Sequence, residues 1–386
     1  MNFSYYLPTK ILFGFGSLDS LKGEVEIQAA SRILVVTDKV MVKTGAVAKL
    51  SGRLGSMACD IFDEVEPEPK VEVAERVGTK ARSADYELVI GLGGGSSMDM
   101  AKIAAGLATN PGSARSYIGS GLFKNKPLPT IMVPTTAGTG AELTVTSMVT
   151  VDGHKQWINS PLLLPTVALV DPELTLTMPQ GVTAATGLDA LCHNTEAYFS
   201  ATANVMTDSV ALEGIKLVIN NLERAHQSGT DRSAREAMSL GAMLGGIALA
   251  AKMVYGHSIG YTIGTRFNLP HGVSCGIPLP YIIANYAIAN APKMKRLGEA
   301  FGVDADADDP VETGVLIAEK VKALLASLKV STSLKELGVR EDDLPMLARE
   351  CLKLYYRQNS PVVFDEKSMT HFYRMMWEGD LGQKRE

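Results

Sequence analysis

The chain has 386 residues, 46% of them hydrophobic and 20% charged, with a formal net charge of −5, which predicts an ordinary soluble globular protein too long for one core and built as two domains. With no basic run and no basic amphipathic stretch, that charge argues against a nucleic-acid partner and against an anionic membrane surface. The four cysteines, Cys59, Cys192, Cys275 and Cys351, are scattered without a CxxC pair, which argues against a disulfide framework or thiolate zinc cluster and fits a reducing cytoplasm.

The opening MNFSYYLPTK has no charged region leading into an apolar run and reads as no signal peptide. Short β-branched runs follow: Ile33 to Thr37, Glu87 to Ile90, Thr130 to Val133 and Val167 to Val170, with helical patterns such as Val71 to Ser83 and Met98 to Leu107 between them. Apolar strands alternating with helices predict a parallel sheet covered on both faces. After Pro172, Pro179 and Gly181 the pattern turns helical, over 183–200, 205–226, 233–255, 275–289, 311–328 and 343–356. The boundary falls near residue 180, giving an α/β dinucleotide-binding domain with a Rossmann-like parallel sheet over 1–180 and an all-α metal-binding, catalytic domain over 181–386. The apolar run Ala237 to Ala251 is too short and glycine-rich for a membrane span and reads as a buried helix.

Gly91-Leu92-Gly93-Gly94-Gly95-Ser96-Ser97 stands between a strand and a helix, where backbone N–H groups and the helix N-terminus can hold a diphosphate. The spacing is not GxGxxG and no Walker lysine follows, which disfavours a nucleotide-triphosphate loop; an ordinary strand-to-helix turn would use the same glycines. Asp38 closes the first strand, where a carboxylate can accept from a ribose diol and repel a 2′-phosphate, favouring NAD over NADP; an N-cap aspartate fits the position equally well. Pro134-Thr135-Thr136-Ala137-Gly138-Thr139-Gly140-Ala141-Glu142 is a second strand-terminal loop, rich in hydroxyls and glycines, and strand ends of one parallel sheet face a common ligand crevice.

In Gly187-Leu188-Asp189-Ala190-Leu191-Cys192-His193 a carboxylate and an imidazole stand four residues apart, on one face of a helix, and can chelate one ion. Cys192 leaves that face and is not read as a ligand. His257 and His271 lie downstream in the same apolar half, and one carboxylate with three imidazoles suits Fe²⁺ or Zn²⁺. Helix salt bridges and a turn histidine are the bland alternatives. His154 in a polar turn, His226 at a helix end and His371 in the tail read as surface or structural residues.

These segments carry a resemblance. The opening LPTKILFGFGSLDSL, then GLGGGSSMDMAK, PTTAGTGAELT, LLLPTVALVDPELTLTMP, GLDALCHNTEAYFS, YGHSIG and NLPHG resemble, in order and along nearly the full chain, the iron-containing (group III) alcohol dehydrogenases. The resemblance implies a dinucleotide domain followed by a helical domain, an active site in the cleft between them, and a homodimer. It carries the metal to Asp189, His193, His257 and His271, and the pyrophosphate loop to Gly93, Gly94, Gly95, Ser96 and Ser97 with Asp99 and Lys102. The second cofactor loop falls on Thr135, Thr136 and Thr139, the cofactor-selecting carboxylate on Asp38, and a lysine often near the cofactor on Lys155. Where alcohol-oxidising members have a further histidine ten residues before the PHG histidine, this chain has Tyr261; where an aromatic residue is frequent before PHG, it has Arg266.

The function expected is hydride transfer between NAD(H) and a small primary alcohol or aldehyde, with the metal as Lewis acid and His257 among its holders. Tyr261 is a candidate proton donor or a packing residue. Arg266 is a candidate for attracting an anionic substrate group or a solvent-facing arginine. The alternatives are a hydroxyacid–oxoacid transhydrogenase, a glycerol dehydrogenase or dehydroquinate synthase-like relative, and a non-catalytic binding protein, which would be expected to have lost a ligand.

Overall fold

Residues 2–304 and 309–382 are described by a computed structural model. Ser4–Met178 form one unit and Pro179–Glu386 lie in the other.

In the first unit the strands are β1 (Lys10–Phe13), β2 (Arg32–Val36), β3 (Ala58–Phe62), β4 (Leu88–Gly93), β5 (Gly119–Ser120), β6 (Thr130–Pro134), β7 (Thr146–Val151), β8 (His154–Asn159) and β9 (Val167–Val170). Its helices are α1 (Leu21–Ile27), α2 (Lys39–Lys43), α3 (Ala46–Leu54), α4 (Val71–Arg82) and α5 (Gly95–Thr109). Six strands make one parallel sheet in the order β1-β9-β6-β4-β2-β3. Both faces are apolar because successive side chains alternate. Leu34, Val36, Val89 and Met132 pack with α4 and α5 on one face, while Ile33, Val35, Ile90 and Val133 pack with α1 and α3 on the other.

The strand order fixes where a ligand belongs. After β2 the chain steps outward to β3 and then returns to β4 on β2's other side, so direction reverses between β2 and β4. Ligands of open α/β sheets bind at such a switch point, beyond the carboxyl ends of the strands. Here those ends are Asp38 and the glycines from Gly93.

One strand pair escapes the alternating α/β reading. VDGHKQ, expected as a polar turn, is the turn and outgoing strand of the antiparallel β7–β8 hairpin, and His154 is a strand residue. Its Asp152-Gly153 pair turns with both φ positive, at 51° and 81°, as a two-residue hairpin turn requires.

The second unit contains α6 (Gln180–Phe199), α7 (Val205–Gln227), α8 (Arg232–Ala248), α9 (Tyr255–Phe267), α10 (His271–Gly276), α11 (Leu279–Tyr286), α12 (Ala291–Phe301), α13 (Pro310–Ser327), α14 (Leu344–Leu354) and α15 (Glu366–Glu378), with no strand among its described residues. The helix expected over 233–255 is two helices. α8 ends at Ala248, a short turn follows, and Lys252 takes φ 65° before α9 begins. The segment 275–289 is likewise divided, with α10 starting earlier at His271 and Pro278 capping α11. His226 lies in the last turn of α7, and His371, expected in a tail, lies within α15. No single helix among the described residues is long and apolar enough to cross a membrane.

Candidate functional site

Helix α6 carries Asp189, His193 and Glu196, spaced four and three residues apart and therefore on one face. The helix is buried along most of its length, so these polar groups must find partners inside the protein. Helix α9 supplies His257 and α10 supplies His271. A Cβ at Gly272 would stand 1.8 Å from the Ala185 carbonyl oxygen and 3.0 Å from Asp189 Cβ. Only glycine lets α10 approach α6 this closely, and the approach delivers His271 to Asp189.

Three imidazole nitrogens converge on one carboxylate oxygen. Asp189 Oδ1 lies 3.6 Å from His193 Nε2, 3.4 Å from His257 Nε2 and 3.6 Å from His271 Nε2. Donors about 2.0–2.2 Å from a shared ion in a tetrahedron stand about 3.3–3.6 Å apart. Asp189 Oδ1 and His257 Nε2 are buried with no hydrogen-bond partner. Inward-facing lone pairs left unsatisfied in a closed space fit a divalent cation, and the nitrogen–oxygen set suits iron or zinc. Burial by itself would raise the Asp189 carboxyl; the neighbouring His193, His271 and His257 outweigh it and hold the group below the usual carboxylate range.

Two neighbours of this cluster escaped the sequence reading. Glu196 Oε1 lies 2.6 Å from His257 Nδ1, and its other oxygen accepts from the His257 backbone N–H at 3.2 Å. An ionised carboxylate only accepts, so Nδ1 carries the hydrogen and Nε2 presents its lone pair to the centre. Continuing the α6 face one turn beyond His193 was the signal for Glu196. Cys275 is the second. Its thiol is 3.7 Å from His271 Nδ1, and with Asp189, His257 and His271 it offers donor atoms all within 4.8 Å of one another. Its spacing of four from His271 on α10 was the available signal.

Tyr261 lies against the cluster. Its ring stacks on His271 with centroids 5.6 Å apart and meets His257 edge-on at 6.1 Å. Burial pushes its phenol up, against the opposing charges of His257 and Arg357, so the hydroxyl keeps its proton at neutral pH. Arg266 pairs with Glu350 at 3.2 Å and is 42% exposed, a surface ion pair.

In the α/β unit the two loops expected to hold the cofactor meet. Gly93 has φ 145°, and a Cβ there would strike Ser97 Oγ at 2.6 Å; a Cβ at Gly95 would strike Thr139 Cγ2 at 2.7 Å. Thr136 lies against Gly94 at 3.5 Å from the position a Cβ would take, and the Thr135 N–H donates to the Gly93 carbonyl at 2.9 Å. Ser96 is half-buried and Ser97 buried in the first turn of α5. Helix α5 opens with no side-chain cap, leaving its first N–H groups for an anion.

Asp38 is the N-cap of α2 and also reaches the glycine loop. Oδ1 caps α2 by accepting from the N–H groups of Val40 and Met41 at 2.8 and 3.0 Å, while Oδ2 stands 3.4 Å from Ser97 Oγ. Three other expected cofactor residues have protein partners. Lys102 Nζ, fully buried, pairs with Asp99 at 3.0 Å and donates to the Ala141 carbonyl and Thr144 Oγ1 at 3.1 Å each. Asp99 accepts from the Met148 N–H at 2.9 Å, and Lys155 pairs with Glu68 at 3.4 Å. These three fasten the loop and hairpin that follow β6.

Residues 8–172 match the family profile described as iron-containing alcohol dehydrogenase, and residues 183–377 match the C-terminal profile of the same family. The chain is 36% identical over 377 residues to long-chain-alcohol dehydrogenase 1 of Geobacillus thermodenitrificans, covering 95% of each chain. It superposes on a 1,3-propanediol oxidoreductase with a TM-score of 0.93 at 31% identity, covering 98% of this chain and 100% of that one. It also superposes on a sulfoacetaldehyde reductase of Bifidobacterium kashiwanohense in complex with NAD+, with a TM-score of 0.90 at 29% identity, covering 97% and 99%. The chain belongs to the iron-containing alcohol dehydrogenase family.

Proposed function

We propose that this chain is a metal-dependent alcohol dehydrogenase, or aldehyde reductase in the reverse direction, that moves hydride between NAD(H) and a small primary alcohol or aldehyde. The observation that carries the reading is the convergence of three imidazole nitrogens on Asp189 Oδ1 at 3.4–3.6 Å, in a family of iron-containing alcohol dehydrogenases. A divalent ion supplies Lewis acidity toward the substrate oxygen, and a nicotinamide dinucleotide supplies the hydride partner.

The chain's own residues set the conditions. Asp189, His193, His257 and His271 hold the ion, with Fe²⁺ as the working metal and Zn²⁺ able to load in its place. Glu196 fixes the His257 ring and tautomer through Nδ1. Tyr261 keeps its proton and acts as a hydrogen-bond donor toward the substrate oxygen. Gly93, Gly94, Gly95, Ser96 and Ser97 with Thr135, Thr136 and Thr139 cradle the dinucleotide, while Asp38 selects NAD over NADP by repelling a 2′-phosphate. Asp99, Lys102 and Lys155 act on the cofactor by holding its loops. Residues 1–180 thus bind NAD and residues 181–386 bind the metal and perform catalysis. The four cysteines are free thiols, which suits a reducing cytoplasm, and we assign the working form as a homodimer.

The test is NADH oxidation by metal-stripped protein, with and without Fe²⁺ or Zn²⁺, across small aldehydes. Metal-restored turnover that disappears in His257→Ala supports the reading. NADH binding without turnover for any metal and aldehyde overturns it and favours a transhydrogenase or a sugar-acting superfamily member.

A further inference from the structure

A second arginine lies closer to the chemistry than Arg266. Arg357 sits in the irregular segment after α14, with its Cζ 6.0 Å from the centroid of the Tyr261 ring, the ring that stacks on His271. Its position is built. Ser258, the residue after His257, donates from Oγ to the Tyr355 carbonyl at 2.6 Å and accepts from Arg357 Nε at 2.8 Å. One fully buried serine on α9 therefore ties the 355–357 segment beside the metal-holding histidines. Tyr355, also buried, meets Tyr261 edge-on with ring centroids 5.1 Å apart.

The guanidinium so placed has donors to spare. Its Nε is committed to Ser258, whereas no carboxylate among the described residues pairs with the group. Arg266 differs on both counts, being neutralised by Glu350 and exposed. A half-buried guanidinium without a counter-ion favours an anion, and its planar fork matches the two oxygens of a carboxylate or sulfonate.

We propose that Arg357 is a substrate-binding residue that recognises the anionic end of a short ω-hydroxy acid or its aldehyde, while the hydroxyl or carbonyl end is held at the Asp189, His193, His257 and His271 cluster. The inference rests on the function proposed above for that cluster. Ser258 and Tyr261 position the guanidinium, so selectivity for a charged substrate comes from the segment after α14 and not from the surface arginine of α9.

The test compares 4-hydroxybutyrate with 1,4-butanediol, in which a neutral hydroxymethyl replaces the carboxylate, as substrates of metal-loaded wild-type protein, Arg357→Gln, Arg357→Lys and Arg266→Ala. The proposal predicts preference for 4-hydroxybutyrate and a loss of about 10- to 100-fold in its kcat/KM in Arg357→Gln, as expected for a charge-assisted hydrogen bond. Turnover of 1,4-butanediol stays within about twofold, Arg357→Lys recovers part of the loss, and Arg266→Ala changes neither substrate. Equal losses on both substrates, or no wild-type preference for the acid, would overturn the proposal. Calorimetric titration of the same proteins with 4-hydroxybutyrate separates this inference from the parent reading. Binding that requires Arg357 without any turnover would sustain the anion site while the dehydrogenase reading falls. Turnover of the diol with acid binding indifferent to Arg357 would do the reverse.

Discussion

Glu196 Oε1 accepts from His257 Nδ1 at 2.6 Å, and both side chains are fully buried. The carboxylate fixes the ring orientation and directs Nε2 at Asp189, which on the proposed function makes Glu196 a positioning residue for the metal. Glu196→Gln keeps an acceptor but loses the charge, and Glu196→Ala loses both. Metal affinity, measured by competition with a chelator, is expected to fall by about 10- to 100-fold, with alanine the worse of the two. Unchanged affinity in Glu196→Ala would mean that His257 is oriented by its packing alone.

Asp38 divides its oxygens between the α2 cap and the glycine loop, and the two roles separate by substitution. Asparagine caps helices as well as aspartate, whereas alanine costs about 1 kcal/mol of cap stability. Asp38→Asn should therefore retain the wild-type melting temperature while discriminating less between NADH and NADPH, because the charge facing a 2′-phosphate is gone. Asp38→Ala should lose on both measurements. Unaltered discrimination in Asp38→Asn would reduce Asp38 to a helix cap.

Lys102 and Asp99 form an ion pair in which the lysine is entirely buried, and Lys102 ties α5 to the loop after β6. Lys102→Met leaves Asp99 buried without its cation, which is expected to destabilise the protein by about 3–5 kcal/mol. Adding Asp99→Asn should recover part of that loss. A double-mutant cycle in urea reads the coupling directly, and additive effects would refute the pairing.

Glu142 is buried in the same loop, and burial pushes its carboxyl up to about 7, against the attraction of Lys102. The folded protein holds this proton more tightly than the unfolded chain does. The contribution is therefore full below the unfolded value near 4.5 and declines as pH rises to about 7. The separation of those values corresponds to about 3 kcal/mol. Urea unfolding of cofactor-free protein at pH 5 and pH 8 should show wild type losing about that much relative to Glu142→Gln. Parallel pH dependence in the two proteins would show that Glu142 does not titrate in this window.

How much of this was legible in the sequence varied with the kind of residue. β9 was read at its observed bounds because Val167 to Val170 is an apolar run closed by Asp171-Pro172. Asp189 and His193 announced themselves by helical spacing, and the structure sets Asp189 Oδ1 3.4–3.6 Å from His193, His257 and His271, the histidines expected to share a metal with it. The break between α8 and α9 left no such mark, since it depends on Lys252 adopting a left-handed backbone inside an apolar run that reads as continuous. The β7–β8 hairpin was missed because VDGHKQ was read as a polar turn without the strands that Asp152-Gly153 joins. Arg357 was beyond sequence reasoning. It lies in an irregular segment, and its hydrogen bond to Ser258, 99 positions earlier, holds it beside Tyr261.

The central claim is that one ion is shared by Asp189, His193, His257 and His271, and anomalous X-ray scattering from Fe²⁺-loaded crystals across the iron absorption edge tests it most directly. The account predicts one peak about 2.0–2.2 Å from the Asp189 carboxylate and the three Nε2 atoms, absent from His257→Ala crystals. Iron bound at another set of residues in crystals of active protein, with this cluster empty, would contradict it.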